Sequence, residues 1–78
     1  MPIFYFHLYN EVVACDREGQ ELADEAAAHV VAVDSARDMA AAGVRKGDLH
    51  LDHRIEVEDE SGRIVFTVHF RDVVKVEP

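Results

Sequence analysis

The residues of this 78-residue chain whose types and spacing could do chemistry are chiefly its five histidines and the acids and tyrosines near them. His50, Asp52 and His53 form an H-x-D-H cluster. Imidazole and carboxylate are ligands for divalent zinc or nickel, and one loop can bring side chains two or three positions apart around a single ion. A structural zinc site normally has four ligands, often cysteines, whereas this chain supplies only Cys15, at a distance. The cluster is therefore read first as surface histidines beside a loop, with a metal site as the alternative.

His7 and His69 form the second constellation. If their strands are neighbours, both side chains point to the sheet face away from the helix, with Tyr5, Tyr9 and Thr67 alongside. Such a cluster could bind a small ligand or an ion, or form the middle of a subunit contact. The plainer reading makes them cross-strand partners on a half-exposed sheet. His29 falls beside the apolar stripe of the helix and is expected as a boundary residue bonded to a loop.

Glu56 and Glu58 share one strand face, and Asp59 and Glu60 follow them. Acid–base hydrolysis needs two carboxylates across a cleft and a perturbed pKa, and a bare hairpin offers neither. They read as a solvated face. No Ser-His-Asp arrangement, phosphate-binding glycine loop or lysine nucleophile is visible, and Gly19 and Gly62 read as turn glycines. The expectation is a non-enzyme with no cofactor.

These residues must be positioned by a short list of elements. Asp24 to Gly43 reads as the one long helix, with Asp24 as N-cap, alanines throughout and Gly43 as the stop. At 100° per residue, Leu22, Ala26, Val30, Val33, Ala36, Ala40 and Val44 gather on one side. Met39 with Ala28 and Ala32 could widen that face. Ile3 to Tyr9 reads as an aromatic and β-branched strand, with Phe4, Phe6 and Leu8 toward the helix and Ile3, Tyr5, His7 and Tyr9 away from it. A turn at Asn10-Glu11 leads to a short strand, Val12 to Cys15, and Asp16 to Glu21 reads as a loop.

Val44 to Asp52 is expected to be an irregular connection before a hairpin of Arg54 to Glu58 and Arg63 to Phe70. A four-residue loop, Asp59 to Gly62, would set Val57 beside Ile64 and Ile55 beside Phe66, apolar on apolar. A three-residue loop with a glycine bulge would match Glu56 with Phe66, so the four-residue loop is favoured. Ile64, Phe66, Val68 and Phe70 then face the core, and Arg63, Val65, Thr67 and His69 face away. Val73 to Val76 is a last short strand or an extended tail. The sum is a single α+β domain over residues 1–78: a small antiparallel sheet in β-β-α-β-β order with the helix across one face, the first and fourth strands placed at its centre.

The opening MPIFYFHLYN, then DREGQELAD before an alanine-rich helix, RIEVEDESGR from Arg54 and VHFRD from Val68 together carry a resemblance. The chain resembles a family of short, uncharacterised bacterial proteins known only as a domain of unknown function. The resemblance spans nearly the whole chain and implies no activity, substrate, cofactor or partner. Where that family commonly has proline before the helix, this chain has Ala23, which weakens the preset entry into the helix.

Sixteen acids against eight bases give a net charge of −8, which counts against direct nucleic-acid binding and against an anionic membrane surface. Half the residues are apolar, in runs too short for a membrane span, and the N-terminus lacks the pattern of a secretion signal, so the cytoplasm is the expected compartment. The lone Cys15 is expected to be a small buried hydrophobe. The leading expectation for function is a self-associating interaction module, a symmetric dimer joined through the uncovered sheet face or an edge strand. The alternatives are a ligand- or metal-binding protein centred on His7 and His69, and an acidic mimic of nucleic acid or inhibitor of a basic protein, with carboxylates in two rows along Asp16 to Glu25 and Glu56 to Glu60.

Overall fold

The computed structural model describes every residue except Glu11, so the turn expected at Asn10-Glu11 lies partly outside the described residues. Three strands come first: β1 (Ile3–Tyr9), β2 (Val13–Ala14) and β3 (Gln20–Glu21). The helix α1 (Glu25–Lys46), strands β4 (Arg54–Glu58) and β5 (Ile64–His69), and one helical turn, α2 (Phe70–Val73), complete the chain. All strand pairs are antiparallel, in the order β2-β1-β4-β5, and β3 lies beside the other end of β1. The expected α+β architecture is present, and β1 has the expected bounds. Gln20–Glu21, expected within a loop, adds a short strand, and Val73 to Val76, expected as a strand or tail, begins in a helical turn instead.

Strand order differs from the expectation. The Arg54–Glu58 strand, not Ile64–His69, lies beside β1, and β5 is an edge. Apolar length suggested the reverse, but cross-strand partners decide: β4 buries Ile55 and Val57 on one face and sets Glu58, Glu56 and Arg54 opposite Tyr5, His7 and Tyr9 on the other. A central strand needs a neighbour for both faces on both sides, and β4 has them.

The hairpin register is also different. The Gly62 N–H donates to the Asp59 carbonyl and the Asp59 N–H to the Arg63 carbonyl, so the loop is Glu60 to Gly62 with Gly62 left-handed at φ 88°. That loop alone would set Phe66 against Glu56. A second irregularity at Val57/Glu58 moves β5 on by one residue and pairs Val57 with Phe66 and Ile55 with Val68. Ile64, expected in the core, is therefore 44% exposed, and Val65, expected to face away, packs against the core.

Asp24 caps α1 as expected, its carboxylate accepting the Ala27 N–H at 2.8 Å. The helix continues three residues past Gly43. It closes where the Gly47 N–H reaches the Val44 carbonyl and the Asp48 N–H reaches the Gly43 carbonyl, with Gly47 left-handed. Gly43 is glycine for a different reason than a stop: the Asp48 carbonyl oxygen folds back to 2.9 Å from where a Cβ would sit.

The buried helix stripe is Ala28, Ala32, Ala36 and Ala40, rotated by about 80° from the stripe expected at 100° per residue. Val30 and Val44, expected inside, are 59% and 56% exposed. Ala36 and Ala40 are buried and Leu22 and Val33 pack against the core as expected, but Ala26, Val30 and Val44 are not inside, because Phe4, Ile55, Val57, Val68 and Phe70 supply the bulk of the core and α1 presents its smallest side chains to them. Met39 is exposed at the margin.

Candidate functional site

Alternation and register put Tyr5, His7 and Tyr9 of β1, Arg54, Glu56 and Glu58 of β4, and Thr67 and His69 of β5 on the face away from α1. His7 is its best-anchored member, with a side chain 12% exposed. The Asp16 N–H donates to His7 Nδ1 at 3.1 Å, and a backbone N–H can only donate, so Nδ1 carries no proton. The proton sits on Nε2 and is donated to Glu58 Oε1 at 2.7 Å. Both ring nitrogens are thereby engaged by the protein itself.

Asp16 completes this bridge. Its carboxylate accepts the backbone N–H groups of Phe6, Glu18 and Gly19, each at 3.1 Å. Partial burial pushes its pKa up, but those N–H groups outweigh burial and hold the carboxyl below its ordinary 3.8. Sequence reasoning left Asp16 in an unassigned loop. An Asp followed two and three positions later by residues whose N–H groups turn back on it is the signal that could have found it.

Beside this bridge, Arg54 lies over the Tyr9 ring at 4.2 Å and pairs with Glu56 at 3.0 Å. The Glu56 carboxylate, helped by desolvation, holds the Tyr9 phenol above its ordinary 10.0. His69 does not meet His7. The pairs Tyr9–Arg54–His69 and His7–Glu56–Thr67 place β4 between them, and the His69 ring lies 3.6 Å from Asp72 while Thr67 is exposed. The five ligand-or-interface candidates share a face without forming one cavity.

The second candidate is brought together. The ligand atoms of His50, Asp52 and His53 all lie within 4.8 Å of one another. The two imidazoles stack at 4.5 Å, and the His53 ring meets the Phe70 ring edge-on at 5.6 Å.

Other expected residues fall as follows. His29 is exposed and its ring lies edge-on to Phe66 at 5.2 Å, where a loop partner was expected. Cys15, expected buried, is exposed because it lies in the chain that leaves the two-residue β2 at the sheet margin. Asp16, Asp24, Glu56, Glu58, Asp59 and Glu60 each bond within the chain. At the Asp59 turn, the Ser61 hydroxyl and the N–H groups of Arg63 and Ser61 hold the carboxyl below its ordinary 3.8.

The outer side of β5 has no strand partner among the described residues. At the opposite margin the two-residue strands β2 and β3 are linked through Asp16 and Glu18, with Glu21 in β3 itself. No described helix is long and apolar enough to cross a membrane.

The molecule is thus an α+β domain with one covered sheet face and one polar, internally bridged face. The family model described as Domain of unknown function (DUF6894) matches residues 3–71, and the chain belongs to that family. Comparison with curated proteins and with solved structures finds no match.

Proposed function

We propose that this chain is a non-catalytic interaction module of the bacterial cytoplasm that self-associates as a two-fold dimer, with β5 pairing antiparallel to β5 of a second copy. The observation that carries this reading is the composition of that edge. Ser61 to Arg71 contains no carboxylate in a chain of net charge −8, and β5 is a six-residue edge whose outward-pointing backbone groups, at alternate residues, have no strand partner among the described residues. Two acidic molecules can approach there without setting acid against acid, whereas the β2/β3 margin is short and lined by acids.

The uncovered face serves this purpose less well. Stacking two such faces would bury Glu56, Glu58 and Arg54 against their own copies, and desolvating paired charges costs more than it returns. Edge pairing instead adds backbone bonds and covers Ile64. An interface of this kind is small, so the dimer is weak and forms at high micromolar concentration. The exposed free thiol of Cys15 accords with a reducing compartment.

Light-scattering mass across a concentration series tests the reading, with Thr67→Lys as the disrupting variant. Thr67 is exposed, so lysine leaves the monomer folded while placing a charge on the shared edge. The wild type is expected to rise toward twice the chain mass and the variant to stay at one. A wild type that stays monomeric throughout, or a variant that dimerises equally, overturns the reading.

A further inference from the structure

We infer that the loop between α1 and β4 is a divalent transition-metal site of the zinc and nickel class, with His50, Asp52 and His53 as its three protein ligands. Two imidazoles and one carboxylate suit borderline cations and suit magnesium poorly. Their ligand atoms already lie within 4.8 Å of one another. Tetrahedral zinc bonds of about 2.0–2.1 Å would bring such atoms to about 3.3 Å apart, a closure of about 1.5 Å at most. His50 and Asp52 are exposed and free to make that movement by side-chain rotation.

The loop backbone is held on both sides of Asp52. The Leu51 carbonyl accepts the Arg71 N–H at 3.2 Å and Arg71 Nε at 3.3 Å, and the His53 carbonyl accepts the Phe70 N–H at 2.8 Å. His53 is further oriented by the edge of the Phe70 ring, while His50, stacked on His53 at an interplanar angle of 9°, must swing off the stack to place its lone pair on a shared ion. The cost of ordering this segment is therefore met by the fold before a metal arrives. Three protein donors leave a coordination position for water or for a group from another molecule. The site lies against Phe70 and Arg71, just beyond the end of β5, and its three ligands lie outside the strand proposed to pair in the dimer.

Calorimetric titration of the tag-free chain with zinc, nickel and magnesium chlorides tests the assignment, with circular dichroism confirming that each variant is folded. Zinc and nickel are expected to bind at one ion per chain and magnesium not at all. His50→Ala removes an exposed ligand without touching the core and is expected to weaken zinc roughly tenfold or more. His50→Ala/His53→Ala is expected to abolish binding, while His29→Ala, which removes a histidine elsewhere, leaves it unchanged. Absence of zinc binding to the wild type, or equal affinity in the double variant, overturns the proposal.

Discussion

The His7 ring joins Asp16 to Glu58 through a single tautomer, and Asp16 in turn ties β1 to its following loop through three N–H groups. Replacing Asp16 with alanine strands those donors in a half-buried site and is expected to cost about 1–3 kcal/mol in denaturant unfolding. Because folding lowers the Asp16 pKa, the folded form binds fewer protons than the unfolded form as pH drops past its ordinary 3.8. The carboxylate's contribution is thus complete above about pH 5 and is lost progressively below about pH 4, through the depressed folded value. The stability gap between wild type and Asp16→Ala should narrow over that window, and a gap constant from neutral pH to acid would sever the link between the carboxylate and the fold. The chemistry-bearing residues were legible as types, and their shared face followed from alternation. Their engagement was not, because whether a histidine is free or bridged depends on a backbone N–H nine residues away and a carboxylate on another strand.

At the level of elements, the N-cap, the strand β1 and the existence of the hairpin were readable from local signals, since caps and period-two alternation act within a few residues. The helix end was not. Gly43 looked like a terminator, yet it lies inside α1 and accommodates the returning Asp48 carbonyl. Alanine for glycine inside a helix ordinarily gains about 1 kcal/mol. Here the sign should reverse, with Gly43→Ala melting below the wild type, and a higher melting temperature would remove the close approach from the account. The centre of the buried helix face and the hairpin register were missed for a related reason. Both depend on what lies across the interface, where large strand residues select alanines and a second bulge restores apolar pairing that the turn alone would have lost.

For the whole molecule, one helix covers one side of a five-stranded sheet, the other side satisfies its own charges, and β5 is left as the longest unpaired edge. Sequence reasoning foresaw a sheet covered on one side only but placed β5 at the centre, and that misplacement hid the edge. With β4 in the middle, the surface proposed for self-association shifts from the aromatic β1 to the acid-free edge of β5. Amide hydrogen exchange measured below and above the concentration at which mass doubles examines this most directly. The account predicts that alternate amides within Phe66–His69 gain protection only in the concentrated sample while β2 and β3 stay unchanged; protection that appears at β2 and β3 instead, or at no strand edge, would contradict it.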